Sequence, residues 1–144
     1  MVTTQLTRDE ILAAAQRLIQ EDLHDLEQKA APASAATPAQ LVDRLGALRT
    51  HLSEQFRHEE QGGYAQEVLT QAPQQERVVR KLLEQHADLA KSLDELIEQA
   101  RAAESVDEGL CERVREWANR LREHESQENG LLEDAFNVEC CAED

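Results

Sequence analysis

The chain has 144 residues and carries 15 Lys and Arg against 30 Asp and Glu, a formal charge of −15 at pH 7. A negative surface of that size repels phosphate backbones and anionic lipid, so neither nucleic acid nor a membrane surface is an expected partner. Aromatic residues make up 3% and there are only 5 Gly and 3 Pro; this is the composition of long helices rather than of strands.

The length suits one domain, residues 1–144, with a real core. No apolar run approaches the roughly 18 residues that a membrane span needs. Met1 to Thr7 show no basic region followed by an apolar stretch, so the expected location is cytoplasmic. Cys111, Cys140 and Cys141 make no disulfide framework. Cys111 is expected to pack as a small apolar residue, and Cys140 and Cys141 to be free thiols in a polar tail.

In chain order, Thr7 and Glu10 form a capping box opening a helix over about 8–30. Residues 31–36 are small and include Pro32, and read as a loop. Thr37 and Pro38, as N-cap and first helical residue, restart a helix to about 69, loosened at Gly62 and Gly63. Pro73 breaks the chain, and a third helix is predicted over about 74–102. Ser105 and Glu108 repeat the capping signal before a fourth helix, about 106–136, with 137–144 as a frayed tail. Four long helices with short connections predict an all-α, antiparallel up-down four-helix bundle.

Helical periodicity sorts each element into faces. Leu41, Leu45, Leu48, Leu52 and Phe56 form the apolar stripe of the second helix, with Glu59 at its centre. Val79, Leu82, Leu83, Ala90, Leu93 and Ile97 form that of the third, and His86 lies within it. On the fourth, His124 and Glu128 fall among Leu110, Val114, Trp117, Leu121 and Leu132, one turn apart. An unpaired carboxylate in an apolar core costs several kcal/mol and takes up a proton or finds a partner.

Height along the bundle brings the four polar residues together. At ~1.5 Å per residue, Glu59 lies roughly 16 Å before the end of its helix and His86 roughly 18 Å after the start of the next. His86 is roughly 24 Å from the following turn, and His124 roughly 27 Å beyond it. Two carboxylates and two imidazoles at one level suit a shared ion, since these are good ligands for iron, zinc or manganese. The competing reading is a metal-free buried polar network.

The order of motifs resembles the hemerythrin-like (HHE cation-binding) family over about residues 8–136. Gln55, Phe56, Glu59 and Glu60 stand where that family often carries His-Phe-x-x-Glu-Glu; Leu82 and His86 follow, and then His124, Glu125 and Glu128 as His-Glu-x-x-Glu. The resemblance implies that Glu59 and Glu128 match carboxylates bridging two irons, and His86 and His124 match terminal ligands. Two departures follow. Gln55 occupies a histidine position, and an expected first-helix histidine is missing. His24, the candidate there, lies roughly 160° from the stripe of Ile11, Ala15, Leu18, Ile19 and Leu26, and reads as a solvated residue.

The expected centre is therefore mononuclear or degenerate, with Glu59, His86, His124 and Glu128 as ligands and one or two iron ions, or zinc, as cofactor. Gln55, whose neutral amide oxygen is a weak ligand, and His51 and His58, at the stripe's edge roughly 80–100° from Glu59, are candidates for a second metal or for orienting a ligand. Glu60 and Glu125 read as solvated flanking residues. Three functions fit: a non-haem iron protein responding to O2, NO or redox state or handling iron; a zinc-stabilised interaction bundle; or a metal-free scaffold. No Ser/His/Asp or Cys/His arrangement and no Gly-rich phosphate loop is present, so an enzyme is not expected.

Overall fold

The computed structural model describes residues 8–31, 36–61 and 64–136, and of these not the side chains of 8–13, 15, 64, 135 and 136. The Thr7–Glu10 capping box, most of the 31–36 loop, Gly62 and Gly63, the Ile11 and Ala15 side chains, and the tail with Cys140 and Cys141 lie outside the described residues. The described chain is helical, without strands: α1 Arg8–Lys29, α2 Pro38–Glu60, α3 Tyr64–Gln71, α4 Glu76–Ala102 and α5 Glu108–Phe136. A 3-10 turn, Pro73–Gln75, leads into α4. The four long helices pack in a ring, α1 on α2, α2 on α4, α4 on α5 and α5 on α1. This is the expected up-down four-helix bundle.

Local chemistry explains the helix starts. The Thr37 hydroxyl accepts from the Gln40 amide at 3.2 Å, and the Gln40 side chain accepts from the Thr37 N–H at 2.9 Å, so two orphan donors are satisfied at once. At α5 the cap is not Ser105 but Asp107, whose carboxylate accepts from the Leu110 N–H at 2.8 Å. An aspartate directly before the first helical residue reaches that amide with an ordinary N-cap geometry.

The second expected helix, 38–69, is corrected to two. Helix α2 ends at Glu60, and Gln61 leaves helical geometry with φ −103° and ψ 71°. Chain then resumes as α3, which packs on α5, α2 and α4. The adjacent Gly62 and Gly63 give this stretch little helix propensity, and the break lets α3 turn its apolar face onto the end of the bundle.

The buried residues fall on seven-residue rows, the spacing of nearly antiparallel packed helices. One apolar cluster runs from Ile19, Leu23, Leu26 and Ala30 of α1 through Leu41, Leu45, Leu48 and Leu52 to Leu93, Val114, Trp117 and Leu121. Trp117 settles its indole by donating to the Leu89 carbonyl at 3.1 Å. A second, smaller cluster joins Val68 and Ala72 of α3 to Val79, Leu82 and Leu131. Two stripe assignments shift: Leu18 is 41% exposed while Leu23 is buried, and Leu89 is buried where Ala90 was expected to be. In both cases the seven-residue seam, not the straight-helix wheel, selects the inward position.

Candidate metal centre

Between the two apolar clusters lies a polar layer. The described residues that are both buried and polar or charged are Gln55, Glu59, His86, His124, Glu125 and Glu128. Each takes a leucine-like place in a row: Glu59 follows Leu45 and Leu52, Gln55 follows Leu41 and Leu48, His86 falls between Val79 and Leu93, and Glu128 follows Val114 and Leu121. The bundle's packing therefore drives these groups inward, and they must satisfy one another or a ligand.

The structure brings Glu59, His86, His124 and Glu128 together. His86 Nε2 is 3.5 Å from Glu59 Oε1 and 3.4 Å from Glu128 Oε2, and His124 Nε2 is 3.3 Å from the same Glu128 oxygen. Donor atoms of His86, His124 and Glu128 all lie within 4.8 Å of one another. Ligand atoms about 2.0–2.1 Å from a tetrahedral ion lie roughly 3.3–3.4 Å apart, so this donor set has the spacing an ion needs.

Each imidazole is held from behind. His86 donates from Nδ1 to Glu60 Oε2 at 2.8 Å, and His124 from Nδ1 to Gln85 Oε1 at 2.7 Å. With Nδ1 protonated, a neutral ring presents a lone pair at Nε2. Phe56 stacks on His86 with ring centres 3.8 Å apart and planes 6° from parallel, which fixes the ring's plane. His124 Nε2, Glu59 Oε1 and Gln55 Oε1 are buried and take part in no hydrogen bond. Buried polar atoms in this state call for a partner.

Electrostatics give the same sense. Burial, then the charges of Glu128 and Glu125, push the Glu59 carboxyl up to about 11. Burial and the Glu128 charge raise Glu125 to about 7. Burial works against ionised Glu128 too, but the adjacent His124 and His86 imidazoles and the Glu59 carboxyl favour the ionised form and bring that carboxyl down to about 2. Without a cation, one proton is thus retained between Glu59 and Glu128; a cation would take its place.

The remaining expectations divide. Glu125 is not solvated: it is 3% exposed and accepts from the Gln55 amide at 3.2 Å. Its row, with Ala118 and Cys111 one and two heptads earlier, was the signal in the sequence. Glu60 is half-exposed, as a flanking residue should be, yet it braces His86. Gln85, which braces His124, was not singled out by periodicity because it lies beside the stripe. His51 turns away to Asp22 on α1 at 2.5 Å, His58 is exposed, and His24 is exposed and paired with Gln28. None of these three reaches the polar layer. Cys111 is buried as a free thiol.

Fold and site together define a helical bundle with an internal histidine–carboxylate site for a cation. The family model for the hemerythrin HHE cation binding domain matches residues 7–136, and the chain belongs to that family. No curated protein and no solved structure matches the chain significantly. No described helix is long and apolar enough to cross a membrane.

Proposed function

We propose that the protein holds non-haem iron through Glu59, His86, His124 and Glu128, and acts in sensing O2, NO or redox state or in handling iron, rather than as an enzyme. The observation that carries this reading is the outward engagement of both Nδ1 atoms, which turns both Nε2 atoms toward a buried carboxylate. Nitrogen and carboxylate donors that converge in a dry interior need a positive charge among them, a proton in the metal-free protein and a metal ion in its place when one binds. Two imidazoles and two carboxylates are suited to iron, and iron bound there supplies the capacity to take up a diatomic ligand or change oxidation state.

Supporting access, a cleft of about 280 Å³ between α4 and α5 reaches His124 and is lined also by Lys81, Gln85, Leu89 and Arg120. Its size fits a small molecule. A cytoplasmic setting accords with the buried free thiol of Cys111. The test is elemental analysis of freshly purified protein with absorbance under O2 and NO. Iron with a gas-dependent spectrum is expected; protein with full capacity for metal but no response to either gas would refute the sensing role.

A second reading has its own observation: the four donors are enough to close a tetrahedral site, as structural zinc requires. It predicts zinc in the purified protein and a melting temperature that falls with chelator, with no response to gas or reductant.

A further inference from the structure

The cleft between α4 and α5 carries more charge than a passage to His124 requires. Lys81 and Asp88 of α4 and Arg120 and Glu123 of α5 line it, two cations and two anions around about 280 Å³. Elsewhere on the surface such charges close on one another, as Arg44 does on Asp25, Arg49 on Asp94 and Arg80 on Glu76. Among the described residues none of the cleft's four forms an ion pair, and Arg120 makes only a 3.4 Å hydrogen bond to the Ser92 hydroxyl. Both signs of charge are therefore held open around one space. A pure anion there meets Asp88 and Glu123, and a pure cation meets Lys81 and Arg120. A molecule that carries both charges finds a partner for each.

Gln85 joins this cleft to the polar layer. It lines the cleft, and its Oε1 accepts from His124 Nδ1 at 2.7 Å. Its Nε2 has no partner among the described residues and keeps two N–H donors for an occupant of the cleft. A carboxylate that accepts from this amide polarises it and strengthens the bond its oxygen accepts from His124. We propose that the cleft is a binding site for a small zwitterion of the α-amino acid class, and that Gln85 relays its presence to His124. Binding rests on the cleft alone; its consequence for a metal rests on the proposed centre. The ammonium group is matched by Asp88 and Glu123, and the carboxylate by Lys81, Arg120 and the Gln85 amide. Leu89 is the one apolar residue of the wall, so a polar side chain suits the site best.

The probe is L-glutamine, titrated into the full chain, metal-stripped and zinc-loaded, with heteronuclear NMR of the backbone amides and the His124 ring. Saturable shifts at Gln85, Asp88 and Glu123 are expected, with His124 Nδ1–H moving downfield. N-acetyl-L-glutamine and L-glutaminamide each keep one of the two charges and should bind about tenfold more weakly. Asp88→Asn and Lys81→Gln should each lower the affinity about fivefold, while Lys91→Gln, exposed on α4 outside the cleft, should leave it unchanged. Absence of saturable shifts, or equal binding of the single-charge analogues, overturns the zwitterion site. Shifts of the cleft amides with the His124 ring unmoved overturn the relay. A chain that takes up no zinc yet binds L-glutamine overturns the metal centre and leaves this site standing.

Discussion

His86 and His124 each have two ring nitrogens, and the protein uses the outer one to set the inner one. Glu60 and Gln85 accept from Nδ1 and so hold the Nε2 atoms toward Glu128. Removing such a brace from a metal-bound imidazole weakens binding about 10–100-fold. Glu60→Ala and Gln85→Leu should each show that loss by competition with a chelator while leaving helix content unchanged. His124→Ala is expected to lose the ion altogether and to destabilise the bundle by on the order of 3 kcal/mol, because Glu128 remains buried beside one imidazole instead of two. Full occupancy in that variant, measured by elemental analysis, would remove His124 from the site.

Helix α3 is the element whose placement matters most to the site. It covers the end of the polar layer with Ala65, Val68 and Ala72, packed against Leu82 and Leu131. Val68→Ala removes two methyl groups from a fully buried position and should cost about 1–2 kcal/mol. Leu45→Ala, deep in the larger cluster, should cost more, about 2–5 kcal/mol. Metal release separates the two variants: the rate rises severalfold for Val68→Ala, which loosens the cover, and stays near wild type for Leu45→Ala. Equal release rates in stopped-flow chelation would show that α3 does not seal the centre.

For the whole molecule, the buried carboxyls set how stability depends on pH. Glu125 is raised in the folded state from 4.5 to about 7 and Glu59 to about 11. Between pH 4.5 and these values the native state holds protons that the unfolded chain has lost, so stability falls as pH rises. Glu128 acts oppositely, but its contribution is already complete above about 4.5 and is lost only toward pH 2. The metal-free protein should therefore melt at a higher temperature at pH 5 than at pH 8, and Glu125→Gln should narrow that difference. Bound metal reverses the trend, since it needs ionised carboxylates and displaces their protons. Calorimetric melts at both pH values, with and without chelator, measure both effects.

Much of this was open to reading in one dimension. Four leucine-rich periodic segments require a bundle whatever their loops do, because each helix can remove its stripe from water only against the others. Glu59, His86, His124 and Glu128 stand out because a charged or polar residue in such a stripe contradicts the pattern around it. What periodicity alone left unresolved were the positions at the stripe's margin. Whether Glu125 faces water or the core, and whether His51 turns inward or toward Asp22, depends on how neighbouring helices seat against each other. The same holds for the hydrogen bonds of Glu60 and Gln85, and for α3 folding back over the bundle's end. A helix's own sequence specifies its faces to within a residue or so. Only the packed neighbours decide which marginal residue is desolvated, and desolvation is what turns a surface carboxylate into part of the polar layer.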